Sequence, residues 1–109
     1  MSALDDKYTK LINEHRAYLA QVQDAFNKHC DEITAETQAK IAQIPDGNQD
    51  ARQPIFEEHK KKLAEALSQM RLLINKSTTM VRLKLEEIHT EREGEQLQKL
   101  ENFMNSLKK

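Results

Sequence analysis

The chain has 109 residues, of which 32% are charged, and a formal net charge of -1. That length predicts a single domain over residues 1–109, and the balanced charge leaves no bulk excess of either sign to draw in nucleic acid or membrane. Two Gly, two Pro, no Trp, three Phe and two Tyr exclude sandwiches, barrels and Rossmann-like units, which need frequent turn residues and many strand-forming side chains. An all-α chain remains.

The first ten residues, MSALDDKYTK, hold two acids and no apolar stretch of the kind a secretory signal carries. No apolar run approaches the ~18–20 residues that span a bilayer. A single cysteine, Cys30, has no intramolecular partner and suits a reducing compartment. The expected location is cytoplasmic.

Residues 3–44 form the first helical arm. Leu4, Leu11, Tyr18 and Ala25 repeat at seven, as do Ile12, Leu19, Phe26 and Ile33, and as do Tyr8, His15, Val22 and His29. Three such rows make an apolar face broader than a two-stranded seam requires. Strong breaker chemistry follows in Pro45-Asp46-Gly47-Asn48-Gln49-Asp50, with Pro54 behind it. A turn over 45–53 is predicted, with Asp50 as a cap and Pro54 in the first turn of the next helix. The second arm, about 54–93, carries a stripe at Phe56, Leu63, Leu67, Met70, Ile74, Val81, Leu85 and Ile88. Matched arms around one turn predict a long antiparallel helical hairpin, in which residue i lies beside roughly residue 98 minus i.

The second arm has an apolar surplus at Leu72, Leu73, Met80 and Leu83, well round the helix from its main stripe. Leu97, Leu100, Phe103, Met104 and Leu107 form a further stripe whose face is rotated from that of Ile88. Either a short third helix over 95–108 breaks at Gly94 and folds back, or one helix continues and offers a second face. Another division places a break at Asn75-Lys76-Ser77-Thr78-Thr79, where poor helix formers cluster. The architectures predicted are thus a hairpin with a C-terminal helical segment, completed as a three-helix bundle or as a dimeric four-helix bundle.

Chemistry is sparse. Glu86-x-x-His89 has the spacing that puts a carboxylate and an imidazole on one helix face, but di-iron bundles need that pair twice, and it occurs once. His15 and His29 fall in an apolar row about 21 Å apart along one helix, too far to share a metal, and read as polar seam positions that fix register. Cys30 precedes Asp31 and Glu32, the wrong surroundings for an activated thiolate. His59 and His89 lack the setting of a phosphotransfer histidine. No nucleophile elbow, phosphate-binding glycine loop or dinucleotide fingerprint is present. The expectation is a non-enzymatic chain with no metal, no cofactor and no small-molecule substrate.

Function is therefore expected in helix association, as an adaptor, small chaperone or assembly subunit, with a protein partner and a homodimer as the self-associated form. The predicted contact residues are Ile12, Leu19, Leu72, Leu73, Met80, Leu83, Leu97, Leu100 and Met104. The alternative is an anion-binding surface for nucleic acid or membrane. Between residues 60 and 84 seven basic residues (Lys60, Lys61, Lys62, Arg71, Lys76, Arg82, Lys84) face one acid, Glu65. Those seven point around much of the helix and no aromatic is interleaved for stacking, so packing against the acidic first arm is the expected role.

Overall fold

The computed structural model describes residues 3–108, so Met1, Ser2 and Lys109 of the expected 1–109 domain lie outside the described residues. Two α-helices account for nearly all of it: α1, Ala3–Ala42, and α2, Gln49–Leu107. The chain is all-helical, as its composition predicts. No strand occurs among the described residues.

Local chemistry sets the helix ends. Asp5 and Asp6 occupy the first turn of α1 and Lys40 its last, each favourable to the helix dipole. Beyond Ala42 the chain tightens through Gln43 N–H to the Lys40 carbonyl (3.3 Å) and Ile44 N–H to the Ile41 carbonyl (3.0 Å). Pro45 disfavours helical geometry at Ile44 and stops α1 there. Asn48 N–H then donates to the Pro45 carbonyl at 3.3 Å, across Gly47 at φ 88°. A hydrogen-bonded turn with positive φ at its third residue is type II geometry, and glycine is the residue that meets it without strain.

The start of α2 differs from expectation. The side chain of Asn48 accepts a hydrogen bond from Ala51 N–H at 3.2 Å and caps the helix, which therefore begins at Gln49. Asp50 lies in the first turn as a favourable charge and is not the cap. Pro54 stands inside α2, one turn later than expected, and its missing N–H leaves the exposed Asp50 carbonyl to water.

Neither expected break interrupts α2. It runs through 75–79 and through Gly94 without leaving helical geometry. Poor propensity over a few residues is overridden where Ser77 and Val81 face a packed seam, and one glycine costs a helix only about 1 kcal/mol. The fold-back of 95–108 as a third helix is thereby replaced by straight continuation.

The chain divides into two compact units. One comprises Met1–Ala17 with Lys76–Lys109, the other Tyr18–Asn75. In the second unit, the end of α1 and the start of α2 form an antiparallel helical hairpin around the Pro45–Asn48 turn. His59 Nδ1 lies 2.8 Å from Thr37 Oγ1, and Lys62 Nζ lies 3.1 Å from Glu36 Oε1. In the first unit, Arg92 reaches Asp5 at 2.9 Å, Lys7 reaches Glu91 at 3.1 Å, and His15 Nδ1 is 3.0 Å from Ser77 Oγ. Four of these pairs fall within two residues of the expected register of 98 minus i, and His15–Ser77 lies six residues from it.

The interiors are thin. Among the described residues Leu4, Val22, Ile33 and Ala66 are the buried apolar ones, and no large side chain is fully enclosed. Half-buried neighbours complete a narrow seam within each unit, Leu11 and His15 with Ser77 and Val81 in the first, and Tyr18 with Met70 and Ile74 in the second. The third row expected on α1 is covered only in its middle: Val22 is buried and His15 half-buried, while Tyr8 and His29 at its ends are exposed. On α2, Phe56 turns outward at 43% exposure while Ile55 and His59 take the seam.

Candidate helix-docking surfaces

The seam histidines are held by hydroxyls. Thr37 Oγ1 donates its single proton to the Ile33 carbonyl at 2.9 Å, as helical threonines do. The same oxygen lies 2.8 Å from His59 Nδ1, a hydrogen bond whose donor is set by the imidazole tautomer. His15 and Ser77 make the corresponding contact in the other unit. Both pairs act as polar seam positions that penalise a slip of register. His29 and His89 are exposed and lie beside Glu32 (3.9 Å) and Glu93 (3.0 Å) on their own helix. No group of three or more His, Cys, Asp or Glu among the described residues is disposed to hold a metal ion. None of the described helices is long and apolar enough to cross a membrane.

The seven basic residues of 60–84 do not gather on one surface. Lys62 is half-buried and paired with Glu36, whose carboxyl is held below its ordinary value of 4.5 by the hydrogen bond from Lys62 and, after it, by Lys40. Lys84 borders an open depression of about 280 Å³ with Lys7 and Lys10, but Glu14, Glu87 and Glu91 line it equally. Lys60, Lys61, Arg71, Lys76 and Arg82 are exposed; Lys60, Arg71 and Arg82 share one row at a spacing of eleven, and Lys61 and Lys76 lie about 100° and 160° round from Lys60.

The predicted apolar contact residues fare differently from one another. Ile12 and Leu19, expected to be uncovered, are half-buried at the edge of the seam, because α1 has only one partner and turns these rows partly into it. Leu72 (68%), Leu73 (44%), Met80 (51%) and Leu83 (52%) are exposed, as are Leu97, Leu100 and Met104. In the Tyr18–Asn75 unit an open groove of about 400 Å³ runs between the helices, lined by Tyr18, Val22, Phe26, Ala66, Met70 and Leu73 among others. Ala66 explains the opening: a methyl group on the seam leaves a gap that a leucine would fill.

In the other unit the last turns of α2 are bare. Every described residue from 89 onward is exposed, and residues 93–107 extend for about 22 Å at the helical rise. Leu97, Leu100, Phe103, Met104 and Leu107 form a stripe with exposures of 62, 53, 60, 51 and 70%. Opposite it, Gln98 Nε2 donates to Asn102 Oδ1 at 3.1 Å, so the segment is polar on one side and apolar on the other. Phe103 and Leu107 complete the stripe beyond the contact residues chosen from sequence, and the three-to-four spacing of 97, 100, 104 and 107 is the signal that includes Leu107.

Comparison with known proteins finds no matching family model, no matching curated protein and no matching solved structure.

Proposed function

We propose that this protein is a non-enzymatic helical interaction protein of the cytoplasm, an adaptor, small chaperone or assembly subunit, and that it works by docking apolar helix faces. One observation carries the reading: the five-residue apolar stripe on the terminal turns of α2, which no described residue covers. Isolated helices of roughly 12–15 residues are marginal in water and draw most of their stability from packing. A straight amphipathic segment of that length is a binding element in search of a second face.

Photo-crosslinking in cells tests the reading. A photoreactive residue at Leu100 is expected to give discrete protein adducts, and the same probe at Gln98, on the polar side, is expected to give few. Equal yields at both positions, or none at Leu100, would remove the reading. A salt titration of binding separates the anion-binding alternative, which loses affinity steeply with salt through counterion release. Apolar docking changes little.

A further inference from the structure

We infer that Asp46 is a site of spontaneous backbone isomerisation, which passes through a cyclic imide with Gly47 and ends in isoaspartate. The site is the Pro45–Asn48 turn, away from the apolar stripes.

Ring closure makes three local demands, and the turn meets each. The attacked carboxyl must be free to move. Asp46 has a fully exposed side chain, and its one partner among the described residues is Arg52, at a long 3.4 Å. The attacking amide must be unbonded and uncrowded. Gly47 N–H makes no hydrogen bond among the described residues, and nothing lies within 4 Å of where a Gly47 Cβ would stand. Finally, the main chain must rotate about the Asp46 Cα–C bond to bring Cγ onto Gly47 N. Asp46 is the second residue of a type II turn, where ψ is about +120°, and ring closure takes it away from that value. The turn resists through a single hydrogen bond, Asn48 N–H to the Pro45 carbonyl at 3.3 Å, which is a weak restraint in water.

The chemistry needs only water. Gly47 N attacks Cγ of the protonated Asp46 carboxyl; the N–Cγ bond forms, a Cγ–O bond breaks, and the amide proton leaves with the hydroxyl as water. Water then adds to one of the two imide carbonyls. Opening at the former main-chain carbonyl breaks its bond to Gly47 N and leaves that carbon as a free carboxylate. The chain now runs through Cβ and Cγ, with mass and net charge unchanged.

No other position combines these features. Asp5, Asp6, Asp24, Asp31 and Asp50 lie in α1 or α2, where helical ψ holds the next nitrogen away from Cγ, and none of them precedes glycine. Gly94 follows Glu93, whose longer side chain would have to close a six-membered ring inside a helix. Isoaspartate at position 46 inserts one main-chain carbon between Pro45 and Gly47. The ring closed by the Asn48–Pro45 hydrogen bond is then too large for a type II turn, and the loss falls on the Tyr18–Asn75 unit, whose helices that turn joins.

Ageing of the full chain at neutral pH and body temperature, followed by peptide mapping with an aspartate-specific protease and electron-transfer fragmentation, tests the site. The peptide holding Asp46 is expected to split into two forms of equal mass, one of them resistant to cleavage before residue 46. Peptides holding the helical aspartates are expected to stay single. Gly47→Ala is expected to remove most of the conversion. Because a strained or loosened turn would speed ring closure, that loss reads the crowding of the attacking nitrogen and not unfolding. Asp46→Asn is expected to convert faster through the same ring, with ammonia leaving in place of water. An Asp46 peptide that stays single after the Asp46→Asn chain has converted would overturn the assignment, as would equal conversion at the helical aspartates. An Asp46→Asn chain that does not convert would show that the turn never reaches the ring geometry, and would overturn it as well.

Discussion

Ile33→Ala separates the seam from the exposed stripes more sharply than any other single substitution. Ile33 is 4% exposed, on the α1 side of the Tyr18–Asn75 unit, one turn from the Thr37–His59 contact. Truncation removes three carbons, worth about 0.8 kcal/mol each in transfer, or roughly 2.4 kcal/mol. The cavity contribution is small, because a two-helix seam beside solvent closes by a slight approach of the helices, so the whole change belongs near the lower end of the ~2–5 kcal/mol range for such truncations. With a urea slope of about 1–3 kcal/mol/M, the midpoint should fall by roughly 1–2 M. Urea unfolding followed at 222 nm, at a concentration where the chain is monomeric, reads this directly. Leu97→Ala is the control. Its side chain is 62% exposed, and its loss should change stability by no more than about 0.5 kcal/mol. Equal midpoint shifts for the two variants would refute the assignment of Ile33 to the interior and of Leu97 to a bare surface.

Three further outcomes follow from local geometry. Gly47→Ala should destabilise by about 1–2 kcal/mol, wholly through backbone strain, since φ is 88° and nothing lies within 4 Å of the added Cβ; Gly94→Ala, helical and equally unobstructed, should raise stability or helicity by up to about 1 kcal/mol. Opposite signs in thermal melts support the turn and the continuous α2, and equal signs contradict one of them. A double-mutant cycle of Thr37→Val with His59→Leu should give a coupling of about 0.5–1.5 kcal/mol, and additivity would show that the 2.8 Å contact does not form in solution. Glu36 has a lowered folded-state pKa, so its pairing with Lys62 and Lys40 stabilises above the unfolded value of 4.5 and is lost as pH falls through the lowered one. The stability gap between the unmodified chain and Glu36→Gln should therefore close on acidification, and a gap unchanged with pH would contradict the pairing.

Much of this fold is legible in the residues, and the exceptions share a cause. Pro45-Asp46-Gly47 marks the turn because few residues other than glycine tolerate φ 88°, and matched arms then set the register that Lys7–Glu91 and Thr37–His59 display. Hydropathy alone misplaces Phe56, since it ranks a phenylalanine above a histidine. His59 wins the seam because Thr37 offers it a hydrogen bond from the other helix, a pairing that no single-helix pattern shows. The start of α2 is missed for a similar reason: Asn48 and Asp50 are equally good caps by type, and the type II turn selects the first. Continuity through Asn75–Thr79 and Gly94 depends on a partner helix and on small penalties, so propensity leaves it open. The apolar stripe at 97–107 is visible from spacing alone, whereas its exposure is visible only once α1 is known to end its cover before residue 93.

Amide hydrogen exchange of the full chain across a dilution series tests the central claim, that the terminal turns of α2 are a docking element, most directly. Residues 95–107 are expected to be unprotected on dilution, when nothing else can cover them, while the Tyr18–Asn75 unit stays protected. Protection at 95–107 that matches the Tyr18–Asn75 unit at every dilution would mean that the chain covers its own stripe. That result would contradict the claim.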